Sequence, residues 1–322
     1  HAHQLEGDLR TLLGDDSTLP LLPFPDWETL PYDQFSPHPD IISQRLAALH
    51  RLPALERGIV VVTVSTLMQR LPPLGYVIGQ TFDLKIGQEL DLDAEKRRLE
   101  SAGYRHVPQV LDPGDFSVRG GLLDVYPMGA AEPYRIELLD TEIESIRCFD
   151  PESQRSLEKV DAIHMLPGRE VPLDETSRQR AMDALVERFD LDQRRSALFQ
   201  DLKSGVAPAG VEYYLPLFFA APRERFDAAP TQPVTATLFD YLSAQAVPVI
   251  VPGALEAADR FHAQVLERHE QRRHDVERPL LPPDELWLSG EALRERLNRG
   301  ERVEIADQAH PRHAEATQLG EQ

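Results

Sequence analysis

A chain of 322 residues, 41% hydrophobic and 27% charged, has the length of about two globular domains and apolar content enough for a sizeable core. Its 34 basic against 54 acidic residues leave a formal charge of −20, which excludes a stand-alone binder of nucleic-acid phosphate but not a local cationic patch. A single cysteine, Cys148, excludes an intrachain disulfide and suits a reducing compartment, so a cytoplasmic location is expected.

No apolar run approaches the roughly 20 residues of a membrane helix. No signal peptide is legible, and no membrane partner is expected. The chain opens on His1 inside a helix-like stretch, and both ends are expected to be cuts within a longer protein.

The first third alternates helix and strand patterns. Leu5, Leu9, Leu12 and Leu13 recur at helical spacing before Gly14, a stop signal. "LPLLPF" reads as a short strand and "DWETLPYDQFSPHPD" as a loop. "DIISQRLAAL" reads as a helix with Asp40 as its N-cap and Ile41, Ile42, Leu46 and Leu49 on its apolar face. "RGIVVVTV" is a β-branched run expected as a buried parallel strand, followed by a short helix capped by Ser65.

The middle changes style. "TFDLKIG" reads as a strand and "DLDAEKRRLESAGY" as a charged helix. From Asp115 to Asp161 at least three strands are expected, joined by Gly-, Pro- and Asp-containing turns. Cys148 falls in one of them and is expected in the core.

The last third returns to helices, in "DETSRQRAMDALVERFD", "LDQRRSALFQDLKSG" with Gly205 as C-terminal cap, and "ALEAADRFHAQVLERHEQRRHD". "AVPVIVPG" is expected as a second buried strand. The order α/β, α+β, α/β suggests a strand–helix layer interrupted by an inserted module.

Catalytic patterns are missing. There is no G-x-x-x-x-G-K phosphate loop and no G-x-S-x-G elbow. "HEQRRH" places His269 and His274 five apart, about 140° around a helix, where two zinc ligands need four, about 40°. It reads as a solvated helix face. Glu142 and Glu144 offer no pocket for glycosidase chemistry. No catalytic residue, cofactor or metal ligand is therefore assigned in this chain.

The stretch "DFSVRGGLLDVYPMGAAEPYRIELLDTEIESIRCFD" remains. Strand alternation puts Ile136 and Leu138 on one face and Arg135, Glu137 and Leu139 on the other. Arg119 precedes a Gly-Gly pair that lets a neighbouring backbone come close. Two roles stay open for the arginines: pairing with nearby Asp and Glu, or forming a docking face, where Arg is enriched.

This stretch resembles the signature shared by UvrB, a nucleotide-excision subunit, and the transcription-repair coupling factor family. "DWETLPYDQFSPHPDIISQRLAAL", "VSTLMQRLPP", "PAGVEYYLPLFF" and "RPLLPPDELWL" resemble the coupling factor specifically, so the likeness runs from about His1 to Asp307. It implies a fold: a degenerate, UvrB-like, P-loop-NTPase-like α/β domain (1–80 and 168–307) interrupted by an inserted α+β UvrA-interaction domain (81–167), with a linker over 308–322. It implies a role in transcription-coupled nucleotide excision repair, recruiting UvrA to lesion-stalled RNA polymerase. UvrA binding would fall on Arg119, Arg135 and Leu139, the last replacing a usual Phe. RNA polymerase, double-stranded DNA, ATP and magnesium would engage other parts of the longer protein, an ATP-dependent translocase whose C-terminal region could mask the UvrA face. The alternative is a UvrB-like damage-verification helicase. Against it, "PYDQFSPHPD" runs directly into a helix, with no room for UvrB's DNA-clamping hairpin.

Overall fold

The computed structural model describes residues 2–14, 18–189, 191–219 and 235–305. Helix α1 (Ala2–Leu13) ends at Gly14, whose φ of 71° marks the left-handed stop. Strand β1 (Leu21–Phe24) pairs in parallel with β2 (Ile59–Val62), and α2 (Pro39–Arg51) crosses between them. Ile42, Leu46 and Leu49 of α2 are buried, as their spacing requires.

Two expected caps move. Pro39 occupies the first turn of α2, where a missing N–H costs nothing, so His38 caps the helix by accepting from the Asp40 amide. The short α3 (Val64–Leu67) is capped by Thr63, not Ser65; the Ser65 hydroxyl donates instead to Asp26. The β2 run is also less buried than its apolar character implies, because its sheet has only two strands among the described residues and only Val61 is fully covered.

After α4 (Leu74–Gly79) comes β3 (Phe82–Lys85), then α5 (Leu92–Ser101), capped by the Asp91 side chain. A six-stranded sheet follows in chain order: β4 (Arg105–His106), β5 (Asp115–Arg119), β6 (Leu122–Val125), β7 (Tyr134–Leu139), β8 (Glu142–Phe149) and β9 (Ser156–Val160). All neighbours are antiparallel except β4–β5. Strand β10 (Ala162–Met165) returns to pair with β3, closing a ribbon at the base of the module. The pleat sorts the sheet into rows. Val118, Leu123, Ile136, Ile146 and Val160 align across five strands and pack into the core shared by Leu99 of α5. Cys148 is buried beside them.

The last part carries α6 (Glu175–Phe189), α7 (Ala197–Ser204), α8 (Leu215–Phe219), α9 (Leu238–Tyr241), β11 (Val249–Ile250), α10 (Ala254–Arg272), α11 (Pro283–Leu286), α12 (Gly290–Leu297) and β12 (Val303–Glu304). Helix α7 is shorter than its charged pattern suggests, because Ser196 caps it and Asp192 turns the preceding segment. Gly205 caps its end in the left-handed conformation, as expected. The "AVPVIVPG" segment forms only a two-residue strand beside β12, and Val249 is 60% exposed, so it is not the buried strand that its apolar run suggests. His269 is not simply solvated either: its ring lies 5.4 Å from that of Tyr32, and burial lowers its pKa. The 308–322 linker lies outside the described residues.

Where the chain leaves the sheet module, it is locked down. A side chain on Gly168 would sit 2.7 Å from the Tyr104 backbone, so only glycine fits. Two residues on, Glu170 accepts from Arg45 Nε of α2 at 2.5 Å, with both side chains fully buried. Trp27 Nε1 donates to the same carboxylate, and the Arg45 guanidinium lies over the Phe24 and Trp27 rings.

Candidate protein-docking face

The other side of the six-stranded sheet is polar. Ser117, Asp124, Arg135, Arg147 and Lys159 form one row across five strands, directly beside the apolar row. Two acids of this face are turned into the protein, while Glu137 is half-buried and Glu142 exposed. Asp115 and Asp124 are each 2% exposed. Asp115 accepts from Arg105 Nε at 2.8 Å and from the amides of Leu111 and Asp112.

Arg119 and Arg135 converge on Asp124. Arg135 donates through Nε to Oδ1 at 2.7 Å and through Nη2 to Oδ2 at 2.9 Å, a two-pronged charge-assisted pair. Its Nη1 donates to the Gln154 carbonyl, and its guanidinium lies 4.9 Å from the Phe149 ring centre. The Asp124 hydrogen bonds raise the pKa of Arg135 above its ordinary value. Arg119 reaches Asp124 Oδ2 at 2.6 Å from the hairpin end, with its own side chain 53% exposed. Pairing with an acid, one of the two roles that spacing alone left open, is thus realised for both arginines.

An open groove runs over this pair, lined by Pro108, Gln109, Arg119, Leu122, Arg135 and Gln154. Its wall comes from two loops that meet over the polar face. Gln154, held at a φ of 59°, donates through Nε2 to the Val110 carbonyl at 3.2 Å. At the hairpin between β5 and β6, Gly120 takes a φ of 60°. Gly121 accepts from the Leu138 amide at 2.9 Å, the close backbone approach that the Gly-Gly pair allows.

Leu139 does not join the groove. It projects from the far end of β7, 64% exposed, opposite Glu142. Alternation along β7 keeps it on the Arg135 side, while an irregularity in the pairing leaves Glu144 of β8 unmatched beside it. Sequence reasoning missed Asp124 and Gln154. The signal for Asp124 was present: an acid inside the apolar run "LLDV" must find a cation when buried. Gln154 had none, since it acts through a loop whose path depends on the sheet beneath it.

Among the described residues, no cluster of three His, Cys, Asp or Glu could hold a metal, and no helix is long and apolar enough to cross a membrane. The face combines two guanidiniums on one carboxylate, an open groove and, at the end of β7, an exposed apolar residue.

Residues 82–170 match the family model of the UvrB interaction domain. The chain is 43% identical over 296 residues to the transcription-repair-coupling factor of Escherichia coli (strain K12), covering 92% of this chain and 25% of that protein. It is 40% identical over 296 residues to that of Haemophilus influenzae and 34% identical over 315 residues to that of Myxococcus xanthus, with the same shares covered. It thus spans about a quarter of the length of these relatives.

Proposed function

The chain belongs, as a segment about a quarter of its relatives' length, to the transcription-repair-coupling factor family, and from that premise we propose that it is an adaptor that recruits UvrA. The docking face is the polar side of the six-stranded sheet, with Arg119, Arg135 and Leu139 as the residues on which UvrA binding depends. The observation that carries this reading is the Arg119–Asp124–Arg135 cluster, two guanidiniums on one carboxylate at an open groove, inside the segment matched as a UvrB interaction domain. In this reading the α/β units on either side are a degenerate, non-catalytic P-loop-like scaffold. ATP and magnesium, double-stranded DNA and RNA polymerase are handled by the rest of the longer protein, which acts in transcription-coupled repair.

The test is a titration of UvrA with the chain before and after Arg119→Ala and Arg135→Ala. Each is expected to cost about 2 kcal/mol of binding, the scale of an arginine hot spot. Unchanged affinity in both variants refutes the face. ATP hydrolysis above background by the chain alone would favour the UvrB-like helicase instead; α2 beginning at Pro39, immediately after the "PYDQFSPH" loop, speaks against it.

A further inference from the structure

A buried aspartate inside a β-strand has to be accounted for. Asp124 is flanked by Leu123 and Val125, both fully buried, where an apolar residue would fill a sheet at no desolvation cost. One arginine already satisfies it, since Arg135 occupies both of its oxygens. Arg119 is a second cation on the same carboxylate, and it alone of the two remains half in solvent. The two guanidiniums are therefore unequal. Arg135 has an acceptor for each of its three nitrogens, an aromatic ring against it and a side chain only 15% exposed. Both line the groove, but Arg119 uses Nη2 alone; among the described residues its Nε and Nη1 meet no acceptor.

We propose that Asp124 is the positioning residue of the docking face: it holds Arg119 as the guanidinium that meets a partner carboxylate, and Arg135 acts on the partner through Asp124 without touching it. This deepens the UvrA reading and rests on it. A guanidinium that keeps N–H groups open on Nε and Nη1 pairs well with a carboxylate, so the complementary group on UvrA is an Asp or Glu side chain. Arg135 clamps Asp124 so that the acid cannot swing out to compete for that role or repel the incoming charge.

Titration of UvrA with the full chain, with thermal melting alongside, tests the assignment. Asp124→Asn keeps shape and removes charge; it is expected to weaken binding about ten-fold or more, the range for a lost buried charge partner. Arg135→Lys keeps charge but not the fork and is expected to lose as much as Arg135→Ala. The Arg119→Ala/Arg135→Ala double variant is expected to bind no worse than Arg119→Ala alone, because both act through one contact. Wild-type affinity in Asp124→Asn overturns the proposal, as do additive losses for the two arginines. That cycle decides the matter even if Asp124→Asn does not fold. Wild-type affinity in Arg119→Ala and Arg135→Ala alike refutes UvrA docking at this face altogether; a loss in Arg119→Ala beside an unaffected Asp124→Asn refutes only the role of Asp124.

Discussion

Arg45 and Glu170 meet where neither side chain reaches solvent, whereas Arg119 and Arg135 share a carboxylate beneath an open groove. The chemistry is the same in both places: guanidinium against carboxylate, with an aromatic ring close to the arginine. At the junction every donor is turned inward, to Glu170 and the Pro25 carbonyl, and the pair ties α2 to the segment leaving the sheet module. On the sheet face, one arginine is spent inward and the other keeps half of itself outside. Exposure, not residue type, separates a lock from a recognition surface. A buried pair stabilises mainly by the penalty of breaking it, while an exposed one adds little stability and is free to bind.

The largest effect should come from breaking the lock. Arg45→Ala leaves Glu170 charged, buried and unpaired, and is expected to cost about 3–5 kcal/mol of stability in denaturant unfolding. UvrA affinity of the folded fraction should stay close to wild type; a loss there equal to that of Arg119→Ala would erase the distinction between the two sites.

The same junction holds a second buried acid. Burial pushes the Glu212 pKa up, against the opposing effect of Arg169 at 3.9 Å and the Ser36 hydroxyl. Above the ordinary glutamate range the unfolded chain releases this proton while the folded chain retains it, so stability falls as pH rises through that window. Glu212→Gln should remove this fall, seen as a higher melting temperature at neutral pH and a flatter profile. An unchanged profile would mean that Glu212 is ionised in the folded chain.

Leu139 tests the open site. Exposed at the end of β7, it offers an apolar contact without a ring. Leu139→Phe is expected to tighten UvrA binding by about 0.5–1.5 kcal/mol, the scale of an added aromatic contact. No gain in titration would remove this end of β7 from the interface.

The smallest effect sharpens the contrast. Arg119→Ala should change unfolding free energy by no more than about 1 kcal/mol, since its partner keeps Arg135. A loss as large as that from Arg45→Ala would make Arg119 part of a structural lock.

Much of this was legible in the chain. Period-two alternation in "YRIELLD" set Ile136 inward and Arg135 and Leu139 outward, because a strand's side chains have only two faces to choose from. Helical spacing marked the buried face of α2. Cap positions and the exposure of β2 and β11 were misjudged, because an apolar run does not reveal how many strands will lie beside it.

The sequence by itself determined the order of elements, the family likeness and the outward arginines, all carried by local periodicity and motif. Only the tertiary structure decided that Asp124 and both arginines are one unit, that Gln154 closes the wall, and that Glu170 finds Arg45 across 125 residues of chain. A carboxylate's partner depends on strand register and on which segments fold back together, and no local pattern encodes a contact between residues that far apart.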